Sequence, residues 1–344
     1  MRKNLNIECL RGIAIFLVLI THTYFFPYIL YINQLFDFGR GVDLFFVISG
    51  FLMGSTYIAK ISILDFDVKS AYNFYVKRIS RLFPAVLFWN IFTVIIGVFF
   101  LKHTLFPNNY RLIASVLSNI TFIGNFFNYQ YENGLGYWWS IGLEFQFYIL
   151  LPIILYLSGK YFWKVIVIIT LMLSWDKLWT IDHVWLFRIN SLFFGLLTWK
   201  ITSNKNFGKI KERINNLSII KINLIIFFML LSILLNTKIL SDFYVFMNVY
   251  ASILFSLCML IAVARENYIF NYINYFFIFL GKISYSVYLS HILIYMICTN
   301  IFQKLQLDNY TIFYILIYPI VIIVGYLSFK YIEPLMIKEK YMIK

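Results

Sequence analysis

The chain has 344 residues, of which 62% are hydrophobic and only 13% charged, with a mean hydropathy of +0.80. Soluble chains carry about 25% charged residues, so a water-soluble globular domain is excluded and the chain reads as a multi-spanning helical membrane protein. The net charge of +14 would point to nucleic acid in a soluble protein; here the charges sit between apolar runs, where orientation in a bilayer explains them and no nucleic-acid partner is expected.

Apolar runs predict ten transmembrane helices, over 8–32, 41–60, 82–101, 138–158, 161–176, 184–200, 219–236, 243–264, 276–302 and 311–333, in one membrane domain filling 1–344. Many of the Tyr and Trp residues fall near the ends of these runs, as headgroup-seeking rings do. Arg2 and Lys3 precede the first run with no small-residue cleavage pattern after it, so that run is a retained span. The stretch 110–127 is apolar on one side but holds Ser115, Ser118, Asn119, Thr121 and Asn125, and reads as a surface or re-entrant helix. With both termini cytoplasmic, twenty of the 29 Lys and Arg lie in inner segments and five in outer ones, the bias expected of a cell-membrane protein. Cys9, Cys258 and Cys298 are too scattered for a disulfide framework or a metal site, and no metal is expected.

An ionisable side chain inside the bilayer is costly and is a functional candidate by default. In the first span Arg11 and His22 are eleven residues apart, almost three turns, so they project from one face about 16 Å apart along the axis. Histidine is the commonest general base, although an isolated one also serves as a buried group bonded to a carbonyl. Asp43, one turn into the second span, either orients the imidazole or is an acid favoured by the helix dipole; Ser49 and Gly50 permit close helix approach. Arg78 and Arg81 share a face at the cytoplasmic mouth of the third span, where paired guanidiniums suit phosphate and also suit simple anchoring. Glu144, with Gln146 and Tyr148 beside it, has Arg188 as a candidate mate. In the ninth span His291 follows Ser284, Ser286 and Tyr288, which either line an acceptor cavity or join helices by hydrogen bonds. His103 and His183 fall in outer loops and are assigned nothing. On this topology the phosphate-binding groups lie inside, and His22, Asp43, Glu144, Arg188 and His291 lie in the middle or outer half.

The segments LRGIAIFLVLITH ending at His22, GVDLFFVISGFL at 41–52, RISRLFPA at 78–85, WSIGLEFQFYILLP at 139–152 and GKISYSVYLSH at 281–291, in this order, resemble the acyltransferase 3 family of membrane-bound acyl-CoA transferases. The resemblance implies a ten-span core, acetyl-CoA or another acyl-CoA as donor, and a hydroxyl of a surface glycan or lipid-linked saccharide as acceptor. Lipopolysaccharide O-antigen, capsule and exopolysaccharide are among the acceptors of the family. It implies His22 as the catalytic histidine, Arg11 as its companion and Arg78 with Arg81 as contacts to the CoA phosphates; Asp43, Glu144 and His291 also fall in matching motifs. Some members carry an additional extracytoplasmic hydrolase-like domain; 1–344 contains none, so transfer is expected within the membrane unit or with a partner. The rival reading is a transporter or flippase for a lipid-linked saccharide, since intramembrane Arg, Glu and His also line translocation paths. Inverted repeats or broken helices, which would favour it, do not stand out. A third reading, a structural subunit of an export complex, leaves the intramembrane charges unexplained.

Overall fold

The computed structural model describes residues 4–23, 32, 34–61, 68–100, 109–126, 136–175, 188–235, 244–265, 274–306 and 310–336. Among them the architecture is all-helical, the only strand-like feature being an isolated bridge between Phe36 and Leu235. The helices are α1 (Leu5–Thr21), α2 (Gly41–Thr56), α3 (Val68–Phe99), α4 (Asn109–Ile120), α5 (Trp139–Ser158) and α6 (Phe162–Leu173). They continue as α7 (Asn190–Thr202), α8 (Phe207–Asn215), α9 (Ile219–Leu234), α10 (Tyr244–Ala264), α11 (Asn274–Lys304) and α12 (Tyr310–Tyr331).

Six stretches among the described residues are long and apolar enough to cross a membrane: Phe38–Lys60, Val68–Phe99, Trp139–Leu173, Met247–Ala264, Tyr275–Lys304 and Ile312–Leu335. The pair α8–α9, bent by 109°, is a seventh if counted as one span. The expectation of ten full spans is therefore met by six or seven in the described helices, and the reason is helix length. The first span, expected to reach residue 32, forms helix only to Thr21, where His22 closes the last turn; the part of it over 24–31 lies outside the described residues. The helix α7 has 13 residues, and the expected start of its span, 184–187, also lies outside them. Helices α5 and α6 are joined through Gly159 at φ +47°, a left-handed turn that a residue without Cβ adopts freely, and together they count as one apolar stretch. Conversely, α3 starts at Val68, well before the expected 82, so Arg78 and Arg81 lie inside a 32-residue helix.

The chain forms two compact units. The first comprises Met1–Asp67 and Leu150–Lys282, the second Val68–Ile149 and Ile283–Lys344. In the first, α2 and α7 are parallel neighbours, and α1, α9 and α10 close the core around Leu10, Ala14, Leu44, Val47, Phe51, Ile226, Phe255 and Met259. Glycines set these crossings. A Cβ on Gly50 would overlap the Leu192 carbonyl and one on Gly195 the Val47 carbonyl, while one on Gly281 would overlap the Glu8 carbonyl. Close backbone approach of this kind is how helices gain packing energy in lipid, where the hydrophobic effect between them is absent. Replacing Gly281 with valine should therefore cost about 3 kcal/mol by overpacking and sharply reduce the monodisperse fraction on size exclusion in detergent. Gly208→Val, at a position where a Cβ meets nothing within 4 Å, should leave that fraction unchanged.

In the second unit α4 packs on α3. Twelve residues make a helix of about 18 Å, too short to span about 30 Å of hydrocarbon. Its polar residues Ser115, Ser118 and Asn119 are buried, whereas Ile113 and Leu117 are exposed. A polar face turned inward and an apolar face outward is the arrangement of a helix bordering lipid rather than water. Phe122, which follows it at φ 58°, is held by stacking on Phe145 with ring centroids 3.8 Å apart. Gln146 Nε2 donates to the Phe122 carbonyl at 2.9 Å and to Asn125 Oδ1 at 2.8 Å, so Gln146 has a structural function.

Candidate active site

In the first unit, α1 begins at Asn4, whose side-chain oxygen accepts from the Asn6 amide at 2.9 Å, a standard N-cap. The Asn4 and Asn6 side-chain amides also donate to the Ala262 carbonyl at 3.2 and 3.3 Å, tying the helix to α10. One turn in, Arg11 and Glu8 form an ion pair at 3.4 Å with both side chains largely buried. Glu8 was not among the residues singled out from sequence, although its i, i+3 spacing to Arg11 was a readable signal. Eleven residues at 100° each return to within about 20° of the starting direction, so Glu8, Arg11, Val18 and His22 follow one stripe. At its end His22 Nδ1 lies 2.9 Å from the Val18 carbonyl. A carbonyl only accepts, so Nδ1 carries the proton, and in the neutral ring Nε2 carries the lone pair.

Beside it, the turn Phe38–Arg40 leads into α2. A Cβ on Gly41 would strike the Ala14 carbonyl and approach the Val18 side chain, which sets the first turn of α2 against the last turns of α1. Asp43 and His22 therefore occupy the same end of this unit. Asp43 is fully buried, and its partners are guanidiniums. Arg188 donates through Nε to Oδ1 at 3.0 Å and through its second fork nitrogen to Oδ2, and Arg40 approaches Oδ2 at 3.4 Å. Arg40 is itself buried, pairs with Asp37 at 2.8 Å and donates to Asn248. Sequence reasoning set Asp43 behind the imidazole as one option; the structure sets it between two guanidiniums, and the mate observed for Arg188 is Asp43. Arg40 lies three residues before Asp43, a spacing readable in the sequence. Nothing in the sequence marked Asn248.

In the second unit Arg78 of α3 lies over the rings of Phe74 and Tyr148, 5.6 and 5.2 Å from their centroids. Tyr148 donates its hydroxyl proton to Glu144 Oε1 one turn earlier on α5. The guanidinium thus sits among two aromatic rings set edge to face with a carboxylate close by, while Arg81 is exposed one turn further along α3. A guanidinium set among aromatic rings is a common partner of oxyanions. His291 is fully buried on α11; its Nδ1 lies 2.6 Å from the Tyr288 carbonyl, and its ring meets that of Tyr137 edge-on at 5.0 Å. Tyr288 donates to the Tyr137 carbonyl at 2.7 Å and shares a 2.6 Å hydrogen bond with Ser140; Tyr137 donates to the Leu289 carbonyl at 2.9 Å. Ser284 is buried, as is Ser286, which donates to Glu333 at 2.6 Å. The Tyr137, Tyr288 and Ser140 bonds bind the start of α5 to α11. The His291 contact stays within α11, whereas the Tyr137, Ser140 and Ser286 bonds join α11 to its neighbours.

The sequence model of the acyltransferase domain of the acyltransferase 3 family matches residues 4–330. The chain belongs to that family. Among relatives of this acyltransferase 3 chain, a protein of Staphylococcus aureus MSSA476, provisionally named an O-acetyltransferase, is 26% identical over 373 aligned residues, covering 98% of this chain and 58% of that one. The O-acetyltransferase OatA of S. aureus NCTC 8325 is 32% identical over 126 residues, 33% of this chain and 20% of its own. An uncharacterised protein of Haemophilus influenzae Rd is 36% identical over 145 residues, covering 38% and 56% of the two chains. The chain therefore spans a little over half the length of the first and last of these relatives. No solved structure matches it. The family match, together with six long apolar helices, makes this a multi-pass membrane protein.

Proposed function

We propose that this acyltransferase 3 chain is a membrane O-acyltransferase that moves an acetyl group from cytoplasmic acetyl-CoA to a hydroxyl of a surface glycan or lipid-linked saccharide. We further propose ten passages of the cell membrane with both termini cytoplasmic, a topology that the excess of Lys and Arg in the inner segments supports. The observation that carries the reading is the Nδ1 contact of His22, which leaves Nε2 as the basic atom at the end of α1.

In the proposed reaction His22 Nε2 removes the acceptor hydroxyl proton as the oxygen attacks the thioester carbonyl. The new C–O bond forms, the C–S bond breaks, and CoA leaves as a thiolate. A thiol pKa near 8.5 means that this departure needs little acid assistance, and the thiolate or water takes the proton back from the imidazolium. Arg78 and Arg81 take the phosphates of the donor. Arg11, partly neutralised by Glu8, is the companion of His22 on the α1 stripe. Asp43 and Arg188 hold the first turn of α2 in place. Glu144 sets Tyr148 against Arg78, and Tyr288, Ser284 and His291 keep α11 ordered within the second unit.

Surface glycan from cells carrying wild-type protein, His22→Ala or no protein separates the alternatives. An acetyl-sized mass on the glycan in wild type alone supports the enzyme, and normal acetylation with His22→Ala removes the catalytic assignment. Loss of unmodified glycan from the surface would favour the transporter. The donor site has its own test in Arg78→Lys, which keeps the charge but not the planar fork. A donor KM raised about tenfold with kcat nearly unchanged is expected, the equivalent of about 1–2 kcal/mol of cation–π and fork geometry. An unchanged KM would place the phosphates elsewhere.

A further inference from the structure

The start of α6 and the end of α7 form a basic, aromatic edge on the first unit that the proposed reaction does not use. Lys160 and Lys164 both stand over the Tyr161 ring, 5.1 and 5.6 Å from its centroid. Lys200 stands 4.7 Å from the centroid of Trp163, whose ring packs against Trp199 at 5.8 Å. The three lysines are exposed, and none has a carboxylate partner among the described residues. The Trp163 Nε1–H is buried with no acceptor among them. Two ammonium groups over Tyr161, a third over Trp163 two residues along, and an indole donor with no acceptor among the described residues together ask for an anion with several oxygens.

The same edge continues into an apolar stripe. Tyr161, Lys164, Ile168, Leu171 and Trp175 recur at three- or four-residue spacing, one face of a helix, and all are exposed. Ligand chains lying along Ile168 and Leu171 would bring a headgroup to the lysines. A free phosphate would leave the stripe uncovered, and a zwitterionic headgroup would bring its own cation against three others. Basic clusters at the end of membrane helices favour anionic headgroups for this reason.

We propose that the α6–α7 edge, built from Lys160, Lys164, Lys200 and Trp163, binds the headgroup phosphate of an anionic phospholipid whose acyl chains lie along α6. The site is independent of the acyl-transfer reading and stands if that reading fails.

Native mass spectrometry of the full chain, delipidated in detergent and offered phosphatidylglycerol or phosphatidylcholine of identical acyl chains, tests it. Wild type should retain phosphatidylglycerol at least about tenfold better, each lysine near an anionic surface contributing of the order of fivefold. The Lys160→Gln, Lys164→Gln, Lys200→Gln triple variant should lose that preference, and Trp163→Phe, which keeps the ring and removes the donor, should lower it about threefold. The charge-matched Lys205→Gln, Lys209→Gln, Lys221→Gln variant, altered at exposed lysines outside this edge, should behave as wild type. Equal retention of the two lipids, an unaffected triple variant, or equal loss in the charge-matched variant would overturn the proposal. Displacement of the lipid by glycerol 3-phosphate at comparable concentration would reduce the edge to a simple phosphate site. Displacement by coenzyme A would assign it to the donor. Either result overturns the lipid assignment.

Discussion

A His22→Asn variant should fold as wild type and transfer acetyl groups at least about 10² times more slowly, the lower end of what a general base contributes. Asparagine retains a side-chain N–H for the Val18 carbonyl, the bond that now fixes the imidazole at the end of α1, so the local cap survives. What it lacks is a lone pair able to take a proton near neutral pH. His22→Ala should be equally inactive but should in addition lose about 1 kcal/mol with the side-chain bond. The two variants together separate a chemical role from a capping one. The measurement is transfer of labelled acetyl from acetyl-CoA in purified membranes, normalised to protein on immunoblots. If His22→Asn works at the wild-type rate, the imidazole is only a helix-terminal group and the base lies elsewhere.

The largest effect on stability is expected at Asp43. Its carboxylate is wholly buried and bound by the guanidiniums of Arg188 and Arg40. Removing one partner of a buried ion pair leaves uncompensated charge and costs about 3–5 kcal/mol, so Asp43→Ala should abolish most of the folded protein. Arg188→Met should cost less, because Asp43 still has Arg40 and the Arg188 side chain is not completely enclosed. The double variant should be more stable than the sum of the two singles, since the methionine removes one of the cations that Asp43→Ala leaves stranded. Thermal unfolding in detergent, followed by tryptophan fluorescence, gives the ranking. An unaltered unfolding temperature for Asp43→Ala would mean that the network contributes nothing to the fold.

Membrane residence, helical class and the family motifs were legible in the sequence because each depends on local quantities: apolar run length, charge placement and residue spacing. The Arg11–His22 stripe is of this kind, since 3.6-residue periodicity alone puts both side chains on one face. So is Gly50, whose packing function was readable and whose missing Cβ admits the Leu192 carbonyl. The ends of helices were less legible. The helix α1 ends at Thr21, and α3 starts at Val68, because a long helix can carry its lysines and arginines out of the apolar zone with their stems extended along it.

The partner of Arg188 could not be read from the chain. Asp43 lies 145 residues from Arg188, and hydropathy ranks Glu144 and Asp43 alike as buried acids. The choice follows from α2 and α7 running parallel and close, a crossing made possible by Gly50 and Gly195, and no single helix encodes that crossing. The same holds for Arg78 lying over the Tyr148 ring and for the indole of Trp163, which has no acceptor among the described residues. The sequence by itself determined what kind of molecule this is and which side chains carry charge into the apolar zone. Tertiary structure decided which of those charges neutralise one another and which stay available, because electrostatic pairing depends on distances of a few ångströms between groups far apart in the chain.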